Sequence, residues 1–208
     1  MPHPYTPRMF EYEGALAATV STETQQSARG LRQRDVALLH ALVAQYQYRL
    51  VRYFTYLLGS RDPVDDLVQE TWLRILERGH SYDGQSRFEP WLFTVARNLA
   101  LDYVRKRRAL SLDSTDSLEP DLESLSPVSQ APSPFEQAAR TEDAQRLAHS
   151  LQMLEPIYRE ALVLRFQEDL SLQEMAEVVG ASVSTVSSRI YRGLAALRAQ
   201  MAGGTNAS

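Results

Sequence analysis

The chain contains no cysteine, which excludes disulfides and thiolate metal sites. Its four histidines, His3, His40, His80 and His149, stand far apart and show no metal-ligand spacing. No nucleophile–base pair and no glycine-rich phosphate loop stands out, so the residues read as those of a non-enzyme with no metal and no cofactor. No apolar run is long enough to span a bilayer. Prolines occupy the N-terminus where a signal peptide would carry its apolar core, so a cytoplasmic location is expected. Lysine is nearly missing as well: Lys106 is the only one, and arginine carries the rest of the positive charge.

What is present suits one medium domain or two small ones, with 208 residues and an ordinary apolar fraction of 44%. The net charge of −4 argues against a generally adhesive DNA-binding protein, but the charge is divided unevenly. Between Ala109 and Ala139 there is no Lys or Arg, while Asp113, Asp116, Glu119, Asp121 and Glu123 are acidic. Immediately before that stretch stands the basic cluster Arg105–Arg108.

In chain order, residues 1–30 show no sustained periodicity and are expected to be a poorly ordered extension. From Asp35 to Leu58, Leu39, Leu42, Val43, Tyr46, Leu50, Tyr53, Phe54 and Leu57 keep a helical period, and Gly59 follows as a stop. Asp62-Pro63 then reads as an N-cap followed by a first-turn proline. The helix after it is expected to bury Val64, Leu67, Val68, Thr71, Trp72, Ile75 and Leu76. Asp66, Gln69, Glu70, Leu73 and Glu77 lie toward its other side, and Asp65 and Asp66 stand in its first turn. On the residues alone, dipole compensation and solvation account for these acids better than a docking face for a basic partner.

The segment Gly79–Pro90, rich in turn formers, joins this acidic-faced helix to a basic-faced one. It suits a connector, or a loop whose backbone and short polar side chains receive an unstacked base. In FEPWLFTVARNLALDYVRKRR, Phe88 to Arg108, one face is apolar through Leu92, Val95, Ala96, Leu99 and Tyr103. Asn98, Asp102, Arg105 and Lys106 share another face suited to a polyanion, and Arg107 and Arg108 extend its charge.

Residues 110–133, acidic with Ser and Pro, are expected to be a flexible linker. A second unit over 134–202 and a tail, 203–208, follow. Pro156 marks a break, and the next helix is expected to run to about Phe166. Ser171 to Glu174 form a capping box, Gly180 a tight turn, and Ser182 the next N-cap. The following helix buries Val183, Val186, Ile190, Leu194 and Leu197. It presents Ser184, Thr185, Ser187, Ser188, Arg189, Tyr191 and Arg192. Short helix, glycine turn and longer helix with small polar residues at its front make a helix-turn-helix. The arginines suit phosphates or guanine edges.

Taken together, DDLVQETWLRILE, FEPWLFTVARNLALDYVRKRR, the acidic linker and LEPIYREALVLRFQEDLSLQEMAEVVGASVSTVSSRIYRGLAAL resemble bacterial sigma factors of the extracytoplasmic-function group. The resemblance covers roughly residues 31–200. It implies an all-α protein with a region 2 domain (31–109) and a region 4 helix-turn-helix domain (134–202). It implies binding to core RNA polymerase and promoter DNA, and control by an anti-sigma factor.

Carried over, Asp65, Asp66, Gln69 and Glu70 match the polymerase-binding face, which reverses the preference for simple solvation. Asp83, Gly84, Gln85, Ser86 and Arg87 match the loop that captures a flipped minus-ten base. Asn98, Asp102, Arg105, Lys106 and Arg108 match the helix that grips that element. Ser184, Thr185, Ser187, Ser188, Arg189, Tyr191 and Arg192 match the helix for the minus-thirty-five element. The family often has Arg or Lys at the place of Ser187, so this chain carries one cation fewer there. A stand-alone helix-turn-helix regulator accounts for Ser171–Arg198 but leaves Asp65–Arg108 unexplained. A sigma-shaped protein that works mainly by protein contacts leaves the basic cluster without a role.

Overall fold

The computed structural model of the chain describes residues 23–59, 62–111 and 142–203, and every regular element among them is helical. Residues 1–22, 60–61, 112–141 and 204–208, which include most of the expected linker and the first residues of the expected second unit, lie outside the described residues, as does the side chain of Arg108.

The first half is built on α2 (Val36–Leu58). Asp35 caps it, its Oδ1 accepting from the backbone N–H of Ala37 at 2.9 Å and Leu38 at 3.2 Å. Gly59, at φ 62°, ends it in the left-handed conformation that favours glycine. Between these caps Leu42, Tyr46, Leu50, Tyr53, Phe54 and Leu57 recur at helical spacing and are buried.

α3 (Val64–Arg78) follows. Asp62 does not cap it as expected: Pro63 already has helical dihedrals and holds the cap position without any side-chain bond. Its carbonyl accepts from Leu67 N–H at 3.0 Å, so the helix begins one residue later than the sequence suggested. Val64, Leu67, Val68, Thr71 and Ile75 are buried. Leu76, expected in that stripe, is 38% exposed, because the helix is covered on one narrow face only.

α4 (Phe88–Ser111) runs three residues past the expected end and buries Leu92, Phe93, Ala96, Leu99, Ala100 and Val104. An additional helix, α1 (23–33), precedes α2 and buries Thr24, Ala28 and Leu31. The expectation that residues 1–30 are poorly ordered is therefore corrected from residue 23 onward. Thr24, Ala28 and Leu31 do share a helical face, but two of them are small or polar and give little periodic apolar signal.

In the second half, α5 (Glu142–Gln152) and α6 (Pro156–Leu162) lead into a wider π-type turn at Val163–Gln167. This replaces the expected regular helix to Phe166. The turn is closed by Glu168 N–H to Val163 O and Leu170 N–H to Leu164 O, both 3.1 Å. α7 (Leu172–Val179) and α8 (Val183–Gly203) complete the fold. The capping box is formed: Glu174 N–H donates to Ser171 Oγ at 3.2 Å, and Ser171 N–H to Glu174 Oε2 at 2.7 Å. α8 crosses α6 at Gly193, where an added Cβ would lie 3.3 Å from Tyr158 O, closer than an ordinary van der Waals contact.

One contiguous apolar cluster includes Tyr53, Phe54 and Phe93 from the first half and Ile157, Ala161, Leu164 and Met175 from the second. Its aromatic centre pairs Tyr53 with Phe93 at 5.1 Å and with Phe54 at 5.7 Å. Phe54 is fully buried, so Phe54→Ala should lower unfolding free energy by about 3–5 kcal/mol, as measured by urea denaturation.

Candidate nucleic-acid and protein interfaces

α3 spends its apolar face on the core and turns Asp65, Asp66 and Gln69 to solvent. Glu70 is half-buried and accepts from Arg74 Nε at 3.1 Å, an i,i+4 pair. Leu73 stands on the same outer side, 53% exposed, giving the acidic surface an apolar centre. Such a surface suits a basic partner with an apolar contact of its own.

The loop between α3 and α4 is a closed unit. Tyr82 donates its hydroxyl to Ser86 O at 2.6 Å, and Gln85 N–H donates to Asp83 Oδ1 at 2.9 Å. Gly84 is buried at φ 74°, while Asp83, Gln85 and Ser86 face outward. Tyr82, Phe88 and Trp91 pack together with ring centroids 5.4–5.7 Å apart, which anchors both ends of the loop. Burial, then Glu89 and Asp83, push the Tyr82 hydroxyl up to about 12, so it stays a donor at neutral pH.

On α4, Asn98, Arg105, Lys106 and Arg107 are exposed. Arg105 Nη1 donates to Asp102 Oδ1 at 3.1 Å, an exposed contact that holds the guanidinium along the helix. At the front of α8, Ser182 Oγ accepts from Thr185 N–H at 3.2 Å. Ser184, Thr185, Ser187, Ser188 and Arg192 are exposed, Arg189 is partly so, and Tyr191 is 76% exposed. Val186 alone among the first residues of this helix is fully buried, pinning it against the preceding helix. The arrangement presents a helix with small groups at its tip and cations behind, which fits a major groove.

Comparison with known proteins bears on these surfaces together. Residues 42–110 match the sigma-70 region 2 family model and residues 144–197 match sigma-70 region 4. The chain is 36% identical over 141 residues to the ECF RNA polymerase sigma factor EcfG of Rhodopseudomonas palustris, covering 68% of this chain and 72% of that one. It is 30% identical to SigM of Bacillus subtilis over 161 residues, covering 77% and 93%. The chain belongs to the extracytoplasmic-function sigma factors. It is an alternative sigma factor that directs RNA polymerase to promoters, with core polymerase and promoter DNA as its partners. Its fold is similar to that of CnrH in complex with the cytosolic domain of CnrY, with a TM-score of 0.59 and 26% identity over 88% of this chain and 97% of that one. No helix among its described residues is long and apolar enough to cross a membrane.

In this sigma factor the two halves are joined by buried charge. Glu168, its side chain fully buried, accepts from Arg49 Nε at 2.6 Å and Arg52 Nη2 at 2.8 Å. Glu160, also buried, accepts from Tyr53 Oη at 2.8 Å and Arg97 Nε at 3.1 Å. Arg159 reaches back to Tyr56 O at 2.7 Å and Leu154 O at 2.8 Å. Burial lowers its pKa to about 10, still well above neutral, so it remains charged. The sequence marked Tyr53 for packing only and gave the charged residues of this network no role. Their partners are 103–119 positions apart, apart from Arg97 with Glu160 at 63 and Arg159 with the nearby Leu154. Helical periodicity carries no signal for such long-range pairing.

The loop itself joins this network. Arg87 Nη2 lies 3.3 Å from Glu89 Oε1, and its Nη1 lies 3.3 Å from Asp169 O and 3.6 Å from Glu174 Oε1. Glu89 also accepts from Tyr46 Oη at 3.0 Å and faces Arg49 at 3.5 Å. Burial raises the Glu89 carboxyl, but its own backbone N–H, Arg87, Tyr46 and Arg49 outweigh that and hold it below its ordinary value of 4.5. A carboxyl lowered on folding stabilises the fold above about pH 4.5 and loses that contribution as pH falls through the folded value. Glu89→Gln should therefore cost about 1.5–3 kcal/mol at pH 7. That deficit should shrink below about pH 4.5, measured by denaturation between about pH 7 and pH 3.

Proposed function

We propose that the roles within this sigma factor divide by face. Asp65, Asp66, Gln69 and Glu70 on α3 dock on a basic surface of core polymerase. Asp83, Gly84, Gln85, Ser86 and Arg87 hold a flipped minus-ten base, and Asn98, Asp102, Arg105, Lys106 and Arg108 grip the same element. Ser184, Thr185, Ser187, Ser188, Arg189, Tyr191 and Arg192 read the minus-thirty-five element. Residues 31–109 form the region 2 unit, 110–133 the linker and 134–202 the region 4 unit. The observation that carries this reading is the segregation of exposed charge. α3 turns acids outward, the end of α4 turns out cations, and the front of α8 turns out small polar groups and arginines. Unpairing and unstacking DNA costs several kcal/mol, and capture of an extruded base offsets part of it. The protein performs no catalysis in this scheme; it supplies recognition.

Asp66→Arg with Glu70→Arg should abolish co-purification with core polymerase and run-off transcription while the circular dichroism spectrum stays helical. Retention of normal polymerase binding would overturn the docking assignment.

The same reading makes the packed arrangement a resting state. Elements centred at minus ten and minus thirty-five are about 25 base pairs apart, about 85 Å at about 3.4 Å per step. Arg87 on the minus-ten loop lies 3.6 Å from Glu174 at the start of the helix-turn-helix. Both halves cannot occupy their elements while that contact persists, so promoter engagement requires them to part. An anti-sigma factor would act by covering the docking faces or by holding this packed form; CnrH is similar to this chain and is bound to the cytosolic domain of CnrY. Glu168→Gln removes the charge that Arg49 and Arg52 share, at a cost of about 1.5–3 kcal/mol to the packed form. It should raise the radius of gyration in small-angle scattering and speed association with core polymerase.

A further inference from the structure

We propose that α1 is the platform that sets the base-capture loop, with Ala28 and Thr24 as positioning residues for discrimination at the minus-ten element. This rests on the role assigned above to residues 83–87. The ends of the loop are fixed by Tyr82 and Phe88, both buried, and by the Tyr82 hydroxyl on Ser86 O. Its middle rests on α1. A Cβ added at Gly84 would lie 2.9 Å from Ala28 Cβ, 2.9 Å from Thr24 O and 3.2 Å from Gln25 Cα. Two of those three atoms are helix backbone, which cannot yield without moving the whole helix.

The contact is built from small groups on both sides. Thr24, Ala28 and Leu31 form the buried face of α1, and Leu31 packs under Gly79, where an added Cβ would meet its Cβ at 3.0 Å. Gly84 is left with one way to lie, pressed inward at φ 74°, and this sends Asp83 and Gln85 on either side of it to solvent. A loop that must satisfy the edges of one base needs its donors and acceptors held to about 0.5 Å. A loop that ordered only on binding would lose affinity to that ordering. A side chain larger than Ala at position 28 would lift Gly84 and displace the polar groups flanking it. The acidic face of α3 would not be touched.

The test uses holoenzyme assembled from purified bacterial core polymerase, on a promoter found by run-off from genomic fragments. Run-off rates are compared between that promoter and versions with single changes at minus ten and minus thirty-five. For the unaltered protein a single minus-ten change should cost about tenfold or more. In Ala28→Leu that ratio should fall toward unity, with core affinity and minus-thirty-five discrimination unchanged. Gly84→Ala, which presses on α1 from the loop side, should do the same, and Arg29→Leu on the exposed side of α1 should not. If Ala28→Leu loses its helical spectrum, Ala28→Ser, a smaller wedge, takes its place. A folded variant with undiminished minus-ten discrimination overturns the proposal while leaving the site reading intact. An unaltered protein that transcribes without minus-ten discrimination overturns the site reading and the proposal with it.

Discussion

Two buried carboxylates, Glu160 and Glu168, govern how the halves of this molecule sit together. They project from α6 and the π-type turn into a cluster of arginines on α2 and α4, with Tyr53 completing the set. Removing such groups from water is costly, and their attraction to arginine repays little more than that cost. The pairs therefore add modest stability but strong specificity, because a slightly different packing angle would leave a carboxylate buried and unmatched. The stabilisation itself comes from the apolar cluster around Tyr53, Phe54, Phe93 and Leu164, which runs through both halves.

This division of labour suits the separation proposed above for promoter engagement. Apolar packing holds the halves together, and the buried pairs penalise orientations other than this one. Arg49 and Arg52 remain partly exposed, at 22% and 28%, so they can be rehydrated when the halves part. The π-type turn has a place in this, since its extra residue alters the phase of the helix just before Glu168. Local irregularity, buried charge and the reach of Arg87 toward Glu174 thus belong to one arrangement.

Much of the local structure was legible. Gly59, Ser171 and Gly180 act as caps and stops because their signals are local: a side-chain oxygen near free N–H groups, or a residue that tolerates positive φ. Most of the outward faces of α3, α4 and α8 could be read for the same reason, as helical spacing sorts polar from apolar residues, but Val183, expected inside, is 38% exposed at the front of α8. The failures were also physical. Asp62 looked like a cap, but Pro63 took that position through its own backbone. Leu76 looked buried by period, but what covers α3 is narrower than its apolar stripe. α1 was passed over because its contact face is made of Thr24, Ala28 and Leu31, which a hydrophobic pattern barely registers.

Membership of an all-helical sigma family, the place of most of the helices and the groups that face outward were already written in the order of residues. Those properties depend on side chains within a few residues of each other. The tertiary structure alone decided that Glu160 and Glu168 meet Arg49, Arg52 and Arg97, that Arg87 faces the second half, and that Gly84 lies against Ala28. Each of these joins residues tens of positions apart or more, and charge and size alone do not specify which distant partner is chosen. That choice falls to the packing of the core, which brings the helices close enough for a carboxylate to find its arginine and a glycine its alanine.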